Sequence, residues 1–260
     1  MVRLDRRGFL KLSGAAAVAA LAGGGTAVAE AMSLELTRVS LSLGAGKRAV
    51  QISDTHFSTS VFSVDEAVEL IKAEKPAYVF HTGDVVSFRR DVERAREMLR
   101  AVAEFAEVYV VPGNHDHWRG LGAEKLQEAL GEEVKVLGNT SVYLDGFWLA
   151  GVEDPFTGHA RLDRALREAA EPVLLLAHSP QIIGEAAGRV NAVLAGHTHG
   201  GQVRLPLLGA LWLPLPKEYW RYDYGKFMVG RTEMFVTRGT GTGWLPVRLN
   251  CPPEVVSLRI

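Results

Sequence analysis

Short apolar runs that each stop at polar residues of one narrow chemical kind constrain this chain more than any other feature. They are Ala49–Ile52, Ala77–Phe80, Val108–Val111, Phe147–Val152, Val173–Ala177 and Val190–Ala195. Runs of this length, rich in Val, Leu and Ile, read as buried strands. Helix-like stretches lie between them, most clearly Asp65–Glu74 and Asp91–Ala106, with Ser63 and Ser87 placed to begin them. Strand alternating with helix predicts an α/β fold. Val39, Leu41 and Leu43 alternate as a half-buried strand would, and Gly44-Ala45-Gly46 reads as a turn. The segment Leu205–Phe227, apolar and rich in Pro and aromatic residues, reads as a long insertion within one domain.

The carboxyl ends of strands in an open α/β sheet face one crevice, so residues distant in sequence converge there. Asp54 and His56 follow the first run, Asp84 the second, and Asn114, His115 and Asp116 the third. Later runs deliver His178, then His197 and His199. In Asp54-Thr55-His56 and His197-Thr198-His199 the alternate side chains fall on one side of an extended chain. Composition narrows the chemistry. Cys251 is the single cysteine, which excludes an internal disulfide and a thiolate cluster and leaves nitrogen and oxygen to hold any metal. A net charge of −1 gives no sign of a nucleic-acid-coating protein, and no nucleic-acid partner is expected.

Asp54-x-His56, Gly83-Asp84, Gly113-Asn114-His115-Asp116, His178 and Gly196-His197-x-His199 resemble, in order, the motifs of the calcineurin-like metallophosphoesterases. The tail, from Gly239 to Arg248 and through Pro252-Pro253-Glu254, is similar to that of exported members. The resemblance implies a two-sheet β-sandwich flanked by helices, and hydrolysis of phosphoester bonds through a hydroxide bridging two divalent metal ions. It implies one ion held by Asp54, His56, Asp84 and His199 and a second held by Asp84, Asn114, His178 and His197. Such ligands suit Mn, Fe or Zn better than Mg. His115 resembles the residue that protonates the leaving oxygen, with Asp116 orienting its ring. Other polar residues read more plainly. Arg89 and Arg90 fit a solvated helix start better than a phosphate contact, His117 a surface or substrate-facing position, His81 a packing or supporting role, His159 exposure, and Cys251 a small apolar filler.

The amino terminus reads as an address. Arg6-Arg7-Gly8-Phe9-Leu10-Lys11 precedes an apolar stretch from Leu12 to Val28 that ends at Ala27-Val28-Ala29, an arrangement that resembles a twin-arginine signal peptide spanning residues 1–29. The expectation is export by the twin-arginine machinery to the periplasm or the outer face of the cytoplasmic membrane, leaving residues 30–260 as the phosphoesterase domain. Cleavage after Ala29 would remove four basic residues and one acidic residue, leaving 25 basic and 29 acidic, a net charge of −4. An uncleaved anchor is the alternative. The 205–227 segment offers Leu207, Leu208, Leu211, Trp212 and Leu213, then Tyr219, Trp220, Tyr222 and Tyr224 interleaved with Lys217, Arg221 and Lys226. It fits either a structural lid or an apolar lip that receives a lipid-linked substrate or rests on a membrane. The expected activity is that of a phosphodiesterase or pyrophosphatase on an envelope or lipid-linked substrate. The alternatives are a broad phosphomonoesterase and a non-catalytic metal-binding module.

Overall fold

The structure, a computed structural model, describes residues 24–243 and 245–260. Residues 24–32 form helix α1, followed by strand β1 (Glu35–Ser40), β2 (Arg48–Ile52), α2 (Val64–Ala73), β3 (Tyr78–His81), α3 (Val92–Ala103) and β4 (Glu107–Val110). Next come α4 (Asn114–Trp118), α5 (Ala123–Leu130), β5 (Val134–Val136), β6 (Thr140–Leu144), β7 (Phe147–Gly151), α6 (Leu162–Ala165), β8 (Val173–Leu176), α7 (Ile183–Ala186) and β9 (Ala192–Ala195). The chain closes with β10 (Arg204–Leu205), β11 (Gly209–Ala210), β12 (Gly225–Val229), β13 (Thr232–Val236) and β14 (Glu254–Arg259).

Two six-stranded sheets result, in the orders β1-β14-β2-β3-β4-β5 and β12-β13-β9-β8-β7-β6. Strand alternation sorts the side chains into three layers. Tyr78, Phe80 and Tyr109 of the first sheet meet Phe147, Leu149, Leu174 and Leu194 of the second, forming the core between the sheets. Val50, Ile52, Val79 and Val110 point the other way, onto Ala67 and Ile71 of α2 and Met98 and Leu99 of α3. The outer face of the second sheet buries Val193 and Leu175 against Ile183 and Leu162. The fold is therefore the expected α/β sandwich of two sheets flanked by helices.

The differences from expectation have local causes. Ser63 does cap α2, accepting from the Glu66 amide at 3.2 Å. Ser87 caps no helix. Asp91 takes the Ser87 and Phe88 amides at 3.1 and 2.9 Å, which frees the Ser87 hydroxyl for the ring of His56. The first strand is Glu35–Ser40, because pairing with β14 sets its register, and Leu41 and Leu43 enter the core just after it. The 205–227 insertion gives up its last residues to β12, which starts at Gly225. Residues 1–23, which carry the twin arginines and most of the apolar stretch of the expected signal peptide, lie outside the described residues.

Candidate metal centre

The five strands β2, β3, β4, β8 and β9 end at one crevice, and the chain turns sharply as it leaves them. Asp54, His56, Asp84, His197 and His199 all have positive φ, between 41° and 71°. That region is unfavourable for residues with a Cβ, and strain shared by five neighbouring polar residues is characteristic of a functional site. The close approach also needs glycine. A Cβ on Gly83 would lie 2.6 Å from His178 Nδ1, and one on Gly113 would collide with the Asp84 carboxylate.

The side chains converge as two linked groups, Asp54/His56/His199 and Asp84/His178/His197, with ligand-type atoms within 4.8 Å of one another in each. Asp84 Oδ2 stands between them, 3.2 Å from His56 Nε2 and 3.3 Å from His178 Nε2. His199 Nε2 lies 3.4 Å from Asp54 Oδ1, and Asn114 Oδ1 lies 3.0 Å from His178 Nε2. All seven residues expected to hold metal are buried and gathered here.

Hydrogen bonds on the outside of the cage determine which ring nitrogens face inward. His178 Nδ1 donates to the Thr82 carbonyl at 2.8 Å, and His197 Nε2 to the Pro214 carbonyl at 2.8 Å. A carbonyl only accepts, so each of those nitrogens carries a proton and the opposite nitrogen of a neutral ring presents a lone pair. His178 Nε2 and His197 Nδ1 then face each other at 3.1 Å. Two lone pairs at that distance repel unless a positive charge lies between them. Asp54 Oδ1 and His56 Nε2 are likewise buried without a hydrogen-bond partner among the described residues. The donor set and its unpartnered atoms fit divalent cations.

The electrostatics agree. Burial opposes charge on His178, yet Asp84, then Asp54, raise its pKa well above the ordinary 6.5, the same attraction that these carboxylates exert on any cation in the cage. Burial and the charge of His178 push His197 down to about 3. Burial raises Asp54, while Asp84 is held well below the carboxylate range because His178 and His56 outweigh its burial.

His115 lines the cleft in front of the cage, its amide donating to Asp84 Oδ1 at 2.8 Å and its ring edge-on to His56 at 4.6 Å. Its Nδ1 has no partner among the described residues. Asp116 does not orient that ring, contrary to expectation. Its carboxylate accepts the Gly113, Val86 and Val85 amides at 2.9, 3.1 and 3.2 Å, locking the Gly113 turn to the loop after Asp84. Burial, then the charge of Asp84, push Asp116 up to about 7 against those three amides. His81 is buried against Thr55 at 3.2 Å and accepts the Gly83 amide, a supporting role. His117 faces Glu153 at 3.1 Å and stacks on His159, outside the cleft lining. Arg89 and Arg90 are exposed and also line no part of it.

Three contributors are not apparent from the sequence. Pro214 belongs to the insertion yet fixes the tautomer of His197. Phe156 packs on the same ring at 4.9 Å. Arg248, fully buried, donates to the Gly241, Arg238 and Cys251 carbonyls and approaches His199 Nδ1 at 3.5 Å. The Gly-Thr-Gly-Thr-Gly run beside it is the only signal that hinted at a tightly held loop.

Two six-stranded sheets whose strand ends carry an Asp, Asn and His cage with inward lone pairs define a metal-dependent phosphoester hydrolase. The chain belongs to the calcineurin-like phosphoesterase family, whose family model matches residues 47–201. It is similar to phosphodiesterase YaeI of Escherichia coli, 32% identical over an alignment of 225 residues that covers 80% of each chain. It is also similar to YkuE of Bacillus subtilis, an uncharacterized metallophosphoesterase, 29% identical over 287 aligned residues covering 98% of this chain and 97% of that one.

Proposed function

We propose that this enzyme is an exported, dinuclear phosphodiesterase or pyrophosphatase whose substrate carries an apolar, lipid-like group. The observation that carries this reading is the cleft in front of the cage. It has a volume of about 860 Å³ and runs from Asp84, Asn114 and His197 to a wall that includes Trp118, Phe156, Trp212, Leu215 and Leu245. A charged floor beside an apolar wall suits a phosphate bearing a greasy substituent better than a small polar monoester. The name of the E. coli relative points to the same bond class.

Asp54, His56, Asp84 and His199 would hold one ion, and Asp84, Asn114, His178 and His197 the other, with Mn, Fe or Zn the suitable metals. Such a pair, when bound, supplies acidified water and an electrophile for the phosphoryl oxygen. The chain's own residues do the remaining work. Thr82 and Pro214 hold two imidazoles in the ligating tautomer, Asp116 fixes the turn that presents Asn114 and His115, and His115 meets the leaving oxygen with a proton. Burial pulls its pKa down to about 4, so this role needs the anionic phosphate of a bound substrate to draw the proton onto the ring near neutral pH.

The insertion serves as both lid and lip. Its Leu213, Leu215 and Tyr222 are buried, while its Leu207, Leu208, Leu211 and Trp212 stand in solvent and offer a peripheral membrane contact. Polar replacement of Leu207, Leu208 and Trp212 tests this. The expected result is a loss of about tenfold or more in kcat/KM on a lipid-linked ester in vesicles, with a small soluble diester unaffected. Equal losses on both substrates refute the lip reading.

A further inference from the structure

The residues that read as a signal-processing site are built into the folded domain. Residues 27–40 run beside residues 248–259 without interruption. The Ala27 carbonyl accepts the Arg248 amide at 2.8 Å, and the Glu30 carboxylate accepts the amides of Asn250 at 3.0 Å and Cys251 at 2.5 Å. The Pro253 carbonyl takes the Glu35 amide at 2.9 Å, and a parallel ladder continues from Glu35–Glu254 to Ser40–Arg259. Ala27 and Ala31, one turn apart on the helix, are buried, and so is Leu34 just after it. Ala27-Val28-Ala29 therefore lies within a packed helix, not in an exposed strand.

The partner of this helix is the wall of the site. Arg248, whose amide meets Ala27, holds the Gly241 loop through its guanidinium. Leu249 bridges to Val203, and both Val203 and Val247 line the catalytic cleft. The outward side of the helix exposes Val28 and Met32, and Leu245 of the cleft wall is exposed too. No charged residue occurs between Lys11 and Glu30.

On the reading of this chain as an exported enzyme, we infer that the triplet is not cut. Residues 24–34 stay as part of the domain, and the uncharged sequence from Leu12 to Gly23 stays attached to them and serves as a membrane tether. A protease must draw several residues into an extended conformation, and here that requires peeling Ala27 and Glu30 from the 248–251 segment. The occupant that covers the exposed Val28 and Met32 is the bilayer that the uncharged leader enters. An ester carried by that membrane then reaches the cage without leaving the surface.

The test expresses the full chain in a bacterium with a twin-arginine pathway, followed by fractionation, protease protection and intact-mass measurement. The expected protein lies outside the cytoplasm, sediments with membranes and retains residues ahead of Ala27. A soluble exported protein beginning at Glu30 overturns the tether and leaves the export reading intact. An uncut chain confined to the cytoplasm overturns export and the tether with it. The Ala31→Asp variant supplies a second arm, since a carboxylate at a buried position undocks the helix. Cleavage after Ala29 should then appear, with turnover of a soluble diester retained as evidence of folding. An exported, folded and still uncut variant would mean that packing does not protect the triplet, and would overturn the inference.

Discussion

Arg248→Met puts a large buried term under test. The guanidinium is fully buried, with no carboxylate in ion-pair range among the described residues, and it is held by main-chain carbonyls. Two effects oppose each other. Removing an unpaired buried charge relieves a desolvation penalty of several kcal/mol. Against that, the carbonyls of Arg238, Gly241 and Cys251 have no other donor among the described residues, and an orphaned buried acceptor costs about 1–3 kcal/mol. Three such acceptors amount to roughly 3–9 kcal/mol. Hydrogen bonds to a charged group already offset much of its desolvation in the native protein, so the orphaned carbonyls should dominate. The expected net loss is about 3–5 kcal/mol, the part of the orphaned-carbonyl cost left after the relieved desolvation is taken off. That is a large fraction of the roughly 5–15 kcal/mol by which a domain is stable. In a chain of this size it should lower Tm by about 10 °C. Urea unfolding followed by near-ultraviolet circular dichroism measures it. A loss below about 1 kcal/mol with an unchanged native spectrum would refute the reasoning, because the carbonyls would then have found water or each other.

Asp84→Asn should abolish tight metal binding, since it removes the carboxylate that stands between His56 and His178 at 3.2 and 3.3 Å; metal analysis of the purified variant decides it, and full occupancy would refute the bridging role. His115→Ala should keep its metal, slow an alkyl phosphodiester by about 10²–10⁴-fold and slow a nitrophenyl ester much less; equal slowing on both would assign His115 to orientation instead of proton donation. Burial, then the Asp145 carboxylate, push the Tyr78 phenol up to about 12. The unfolded chain therefore releases this proton near pH 10 while the folded one holds it, so stability should fall as pH rises from about 10 to 12. Tyr78→Phe should flatten that slope in alkaline urea titrations, and an unchanged slope would count against it.

What was legible in the sequence follows from which interactions are local. The strands that precede the cage are nearly continuous Val, Leu, Ile and Ala because both faces are covered, and such runs announce themselves. Each cage residue sits at the end of such a run, so its position followed from the run. The shorter strands were not apparent. Val134–Val136 is held by its register with β4, and Glu254–Arg259 is inserted between β1 and β2, an adjacency that arises only once the chain has returned from the far sheet. The same separation hid what supports the site. Asp116, two residues from Asn114, looked like a partner for a neighbouring ring, but its carboxylate is taken by amides 30 and 31 residues away at Val86 and Val85. Thr82 and Pro214 act through main-chain carbonyls, which any residue carries, so no residue type could have marked them. The identity of the ligands is thus written in side chains, whereas the protonation state that makes them ligands depends on where the backbone passes. For His197 that backbone belongs to the insertion carrying the exposed Leu207, Leu208 and Trp212, so the segment proposed to meet a greasy substrate also fixes which nitrogen of His197 faces the cage.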